Sequence, residues 1–144
     1  ENVAGIVGMA EALKIAAYEM HATRQRLIRL RNYFIERVLH EIRDVRLNGH
    51  PYRRLPGNVN FSVRGIDATS LLVLLEEQGI CASAGSACNT GETRISHVIS
   101  AIGVPQDYAP GSVRFTMGRE TTREDVDAAI LALKNSVALL RHAS

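Results

Sequence analysis

Hydrophobic positions in the first third of the chain recur at helical spacing. Met9, Leu13, Ala16, Ala17 and Met20 share one face. Leu27, Leu30, Phe34, Val38 and Ile42 continue the stripe, with Ile35 and Leu39 beside it. The pattern predicts one long helix, or two meeting near residues 19–22. Asn48-Gly49-His50-Pro51 breaks it. On either side of that break the period shortens to two, in Val45-Arg46-Leu47 and in Asn58-Val59-Asn60-Phe61-Ser62-Val63, which predicts strands. Asp67 is placed to cap a helix carrying Leu71, Leu72, Leu74 and Leu75, and Gly79 stands where a helix-ending glycine should.

Ile80-Cys81-Ala82 reads as a short strand, and residues 83–93, small and polar, read as a loop. Ile95, Val98, Ile99 and Ile102 predict a short helix stopped by Gly103 and Pro105. Ser112-Val113-Arg114-Phe115-Thr116 reads as a further strand. Thr121-Thr122-Arg123-Glu124 offers a capping box to a last helix with Val126, Ile130, Leu133, Val137 and Leu140 on one face. This order predicts an α+β fold, a small mixed sheet with helices packed on it. The first helical stretch is too long for so small a sheet, and is expected to serve as a spine to something outside this chain.

At 144 residues the chain is expected to form a single domain over 1–144. Its 46% hydrophobic and 22% charged content excludes a disordered or collagen-like chain. No apolar run approaches the ~20 residues of a membrane span. The start, Glu1-Asn2-Val3, lacks a signal peptide's basic and apolar segments and also lacks a Met, so a processed or cut end is expected. Seventeen basic against fifteen acidic residues give no ground for a nucleic-acid or membrane partner. Arg24, Arg26, Arg29, Arg31 and Arg37 read as the solvated face of an amphipathic helix. Two cysteines cannot build a disulfide framework, and a cytoplasmic location is expected.

Those two cysteines differ in setting. Cys81, between Ile80 and Ala82, is expected to be buried. Cys88 lies among Ser, Ala, Asn, Thr and Gly, with no large apolar side chain near it, so its thiol is expected to be accessible and mobile. Such thiols suit nucleophilic or redox work. Cys81, Cys88 and His97 match no common zinc spacing, so no metal site is expected, and His97 reads as a packing or capping residue. Arg114 alternates with Val113 and Phe115 and so points to the opposite sheet face. It is either a plain solvent-facing arginine or a fork for a carboxylate.

The string Ala82-Ser83-Ala84-Gly85-Ser86-Ala87-Cys88-Asn89-Thr90-Gly91 resembles the active-site loop of cysteine desulfurases, pyridoxal-phosphate enzymes of the class-V aminotransferase type. Residues 1–8, 55–62 and 112–122 resemble further stretches of that family in the same order, so the resemblance spans essentially the whole chain. It implies the C-terminal small domain of a fold-type I pyridoxal-phosphate enzyme. It also implies that Cys88 is the nucleophile that takes sulfur from a cysteine–pyridoxal adduct as a persulfide, and that Arg114 binds the substrate carboxylate. The loop looks like the longer type found in enzymes serving iron–sulfur assembly.

The family's cofactor-holding lysine belongs to a larger N-terminal domain, and Lys14 and Lys134, the only lysines, match no such motif. No cofactor-binding residue is therefore assigned in this chain, the N-terminal domain is expected to be missing, and the chain alone is expected to be inactive. The resemblance further implies L-cysteine as substrate, a sulfur acceptor or iron–sulfur scaffold protein as partner, and a homodimer when intact. Alternatives are another class-V member such as a selenocysteine lyase, or a cofactor-free sulfur-carrier or interaction module.

Overall fold

The computed structural model describes residues 1–84 and 96–142. Helix α1 runs unbroken over Val3–Glu41, so a single helix forms where the sequence pattern allows one or two. At 39 residues it is about 58 Å long. The Asn2 side chain caps it, accepting from Gly5 N at 2.9 Å. Strands β1 (Val45–Leu47) and β2 (Asn58–Val63) follow, then α2 (Ala68–Glu77). After these come β3 (Ser83–Ala84), α3 (His97–Ala101), β4 (Ser112–Thr116) and α4 (Arg123–His142).

The α+β expectation holds, and the sheet is four-stranded in the order β1-β2-β4-β3. Its pairings are antiparallel throughout, where a mixed sheet was expected. The reason is topological. β2 and β3 run the same way across the α2 crossover, but β4 inserts between them and pairs antiparallel with both.

Strand alternation sorts the two faces. Val59, Phe61, Val63, Val113 and Phe115 join one core with Leu27, Phe34, Val38, Leu71, Leu75, Ile130, Leu133 and Val137 from α1, α2 and α4. The opposite face carries Asn58, Asn60, Ser62, Ser112 and Arg114, and it positions the candidate site. Gly57 joins β2 to the chain after β4. Met117 N donates to its carbonyl at 2.7 Å, and a Cβ at Gly57 would lie 2.3 Å from Met117 O, so no larger residue fits.

Helix ends follow local chemistry. Asp67 accepts from Ser70 N at 2.9 Å and caps α2. Gly79, at φ 77°, closes that helix, with Ile80 N on Leu75 O and Gly79 N on Glu76 O. The capping box of α4 sits one residue later than the sequence pattern suggests. Thr122 Oγ1 accepts from Asp125 N at 3.2 Å, and Asp125 accepts from Thr122 N at 2.8 Å. Hydrogen bonding to the carboxyl from the Thr122 backbone N–H, and secondarily from the Thr122 hydroxyl, holds Asp125 below the usual aspartate range.

A carboxyl lowered in the fold contributes stability that is full above the ordinary aspartate pKa and disappears as pH falls through the lowered value. Thr122→Ala is expected to cost about 1 kcal/mol at neutral pH and to flatten the acid limb of a melting-temperature-against-pH curve. An unchanged acid limb would show that the Thr122 hydroxyl does not stabilise the Asp125 carboxylate.

Met9, Leu13 and Met20 lie on an exposed face of the stretch expected to be too long for the sheet, since the described sheet and helices reach α1 only from about Leu27 onward. Two local expectations are corrected. Residues 80–82 are not a strand; the short strand is Ser83–Ala84, inside the stretch read as loop, because there the backbone reaches β4. The arginine run is only partly a solvated face. Arg26 donates to backbone carbonyls of Gly118, Arg119 and Thr121, Arg37 pairs with Glu41 and Asp127, and Arg31 is buried.

Candidate active site

Arg114 sits at the centre of β4, opposite Asn60 on β2 and Ser83 on β3. It is half-buried rather than plainly solvent-facing, and its Nε is buried with no hydrogen-bond partner among the described residues. It borders a cavity of about 360 Å³ together with Asn48, His50, Arg53, Arg54 and Asn60. Ser96, Val98, Ile99 and Ile102, at and within α3, form the opposite wall. No aspartate or glutamate lines the cavity among the described residues.

The floor is a hydrogen-bonded polar layer. Asn48, 2% exposed, donates through Nδ2 to Asn60 Oδ1 at 2.6 Å and Ser62 Oγ at 2.7 Å. Its backbone N donates to Asn60 O at 2.8 Å. Ser112 Oγ donates to Asn60 Oδ1 at 3.2 Å. Asn60, the residue paired with Arg114, is thus fixed on several sides. Arg54 donates to Asn48 O at 3.1 Å, and its own carbonyl accepts from Arg31 at 3.3 Å. Burial lowers the pKa of Arg54 and of Arg31, with neighbouring arginines, Arg31 and Arg24 respectively, adding repulsion.

His50 Nδ1 accepts from the backbone N–H groups of Tyr52 and Arg53, both at 3.0 Å. In the neutral ring the proton is then on Nε2. A half-buried guanidinium on a fixed polar floor, facing a cavity free of described acidic side chains, can hold a carboxylate. A second hollow, about 550 Å³, lies between α1 and Pro56-Gly57 and is mostly apolar. Lacking a comparable convergence of donors, it is the weaker candidate for chemistry.

The residues singled out by their sequence setting fare differently in the fold. Arg114 stands where its strand position implied. Cys88 lies outside the described residues. The described chain stops at Ala84, beside Val113, and resumes at Ser96, which lines the cavity. Cys81 is exposed, not buried, because the segment that carries it leaves α2 without joining the sheet. His97, in the first turn of α3, is exposed, and among the described residues it neither packs nor caps.

Asn48 and Arg54 carry no signal in the sequence pattern, and Arg31 reads there only as part of a solvated face. A signal existed for a buried Arg31, which sits four residues after Leu27 and three before Phe34, on the apolar stripe itself.

Residues 1–129 match the model of the aminotransferase class-V family. The chain is 45% identical over 141 residues to a protein of Dictyoglomus turgidum named "Cysteine desulfurase IscS", covering 98% of this chain and 36% of that one. A protein of the same name from Methanosarcina thermophila is 44% identical over 144 residues, covering 100% and 35%. A solved structure described as a NifS-like protein superposes with a TM-score of 0.83 at 26% identity, over 97% of this chain and 35% of that one. The chain thus spans about a third of the length of the relatives it matches.

Proposed function

This chain belongs to the aminotransferase class-V family, and from that premise we propose that it is the C-terminal part of a cysteine desulfurase. The whole protein would convert L-cysteine to L-alanine and pass the sulfur to acceptors for iron–sulfur cluster or other sulfur-containing cofactor assembly. The observation that carries this reading is Arg114, half-buried in a cavity whose described lining is cationic and holds no acid. The similarity to proteins named cysteine desulfurase supports it.

The family's pyridoxal phosphate needs a lysine as its covalent anchor. Lys14 pairs with Glu11 and Lys134 with Glu41, and neither lines the cavity. The side chains of this chain therefore do not fit that group as its anchor. What they fit is the other end of the substrate. Arg114 holds the carboxylate in bidentate geometry and so fixes the amino acid's orientation. Cys88, by the resemblance of its loop, accepts the substrate sulfur. In balance, one L-cysteine and one Cys88 thiol give one L-alanine and one Cys88 persulfide. The same resemblance supports a homodimer and an iron–sulfur scaffold protein as acceptor, and the presence of only two cysteines supports a cytoplasmic location.

Because no lysine stands at the cavity, the 144-residue chain alone is proposed to be inactive. The test compares this chain with the full-length protein, each supplied with pyridoxal phosphate, L-cysteine and a thiol reductant. Alanine and sulfide are expected from the full-length protein only. Turnover by the chain alone would place the cofactor's anchor within these residues. An inactive, cofactor-loaded full-length protein would overturn the desulfurase reading.

A further inference from the structure

The cavity beside Arg114 carries more positive charge than one carboxylate-binding arginine requires. Arg53, Arg54 and Arg114 all line it, and no described acidic residue does. Arg54 holds two of the buried nitrogens that lack a partner, Arg114 one. Nη2 of Arg54 reaches the carbonyl of Asn48, while its Nε and Nη1 are buried without a partner among the described residues. The described charge that acts on it is another cation. Arg31, 4% exposed, donates to the Arg54 carbonyl and so holds a second guanidinium beside it. Repulsion from Arg31 adds to burial in lowering the Arg54 pKa.

Cations held side by side without a described counter-charge destabilise a fold and favour an anion bound nearby. We infer that Arg54 is the second cation of an anion site, acting with Arg114 to hold a small carboxylate in this cavity. The inference rests on the carboxylate-binding role proposed for Arg114, and it adds a residue to it.

The two arginines have different tasks. Arg114 supplies the direct contact. Arg54, whose free donors are shielded from solvent, is a positioning residue that works by charge and through Asn48. Asn48 in turn holds Asn60, the register partner of Arg114, through its backbone N–H and its side chain. Removing Arg54 therefore weakens both the local positive potential and the floor under Arg114. Asn48 Oδ1, also buried and without a partner among the described residues, is an acceptor, and suits a water molecule bound alongside the carboxylate.

Acetate titrated into the 144-residue chain at fixed ionic strength tests this, read by the Nε–H NMR signals of the arginines. The Arg54 and Arg114 signals are expected to move along one binding curve. Arg54→Gln is expected to weaken acetate binding by about tenfold or more, and Arg54→Lys, which keeps the charge, to recover most of it. Arg29→Gln makes the same net-charge change at an exposed position on α1 outside the cavity and is expected to change binding by less than about twofold.

Movement of Arg114 alone, or equal losses from Arg29→Gln and Arg54→Gln, would overturn the role of Arg54 and leave that of Arg114 standing. No movement of either signal, with Arg114→Gln binding acetate as well as wild type, would overturn both. If Arg54→Gln fails to fold, the wild-type titration still decides.

Discussion

Arg114→Lys in the full-length protein is expected to lower kcat/KM for L-cysteine by about 10- to 150-fold, the loss that accompanies about 1.5–3 kcal/mol from a charge-assisted hydrogen-bond pair. Lysine keeps the positive charge but loses the planar fork that fixes a carboxylate in two bonds. The effect is expected in binding and in orientation together, so KM should rise and kcat should fall. Thermal stability should not drop, because Arg114 points away from the core and its buried Nε has no partner to lose among the described residues. Steady-state kinetics with thermal melting as control is the measurement. Near-wild-type kcat/KM would make Arg114 an ordinary sheet-face arginine.

The largest stability effect is expected at Phe34. Its ring stands edge-on to Phe61 at 5.6 Å and to Phe115 at 5.2 Å between centroids, and only 1% of the residue is exposed. It joins α1 to the two central strands, so it ties the long helix to the sheet. Phe34→Ala is expected to destabilise the fold by about 3–5 kcal/mol, through lost burial plus the cavity left between two rings that cannot close on it. Denaturant unfolding should show a lower midpoint at an unchanged slope. A loss below about 1 kcal/mol would mean the site collapses freely and that Phe34 is not the joint between helix and sheet.

Much of this fold is legible in residue periodicity because burial imposes it directly. The stripe from Leu27 to Ile42 and the alternation from Asn58 to Val63 each meet one packed surface. Asp67 and Gly79 are readable because caps act within a few residues. Strand direction is not readable. β4 lies between β2 and β3 only through tertiary pairing, so no local pattern announces an antiparallel sheet.

The exposed apolar half of α1 shows the converse. Met9, Leu13 and Met20 obey helical spacing, yet none of the described elements covers them, since periodicity marks a face that can be buried and not what buries it.

At the site the same division holds. Strand alternation alone puts Arg114 on the polar face. The layer beneath it is invisible to such patterns, because Asn48 and Arg54 reach it from an irregular segment whose path has no period. Arg31 is open to suspicion from sequence, as a charged residue on an apolar stripe is either an error of register or a buried strut. Cys81 misleads because its two apolar neighbours suggest a strand where the backbone finds no partner. Cys88 is singled out by its polar neighbours and by the loop it resembles, and it lies outside the described residues.

The desulfurase reading is tested most directly by mass analysis of peptides from the full-length protein after one turnover with L-cysteine and no external reductant. One added sulfur atom is expected on the peptide carrying Cys88 and none on the peptide carrying Cys81, with one alanine formed per persulfide. Alanine released with Cys88 unmodified, or the sulfur found on Cys81 instead, would contradict it.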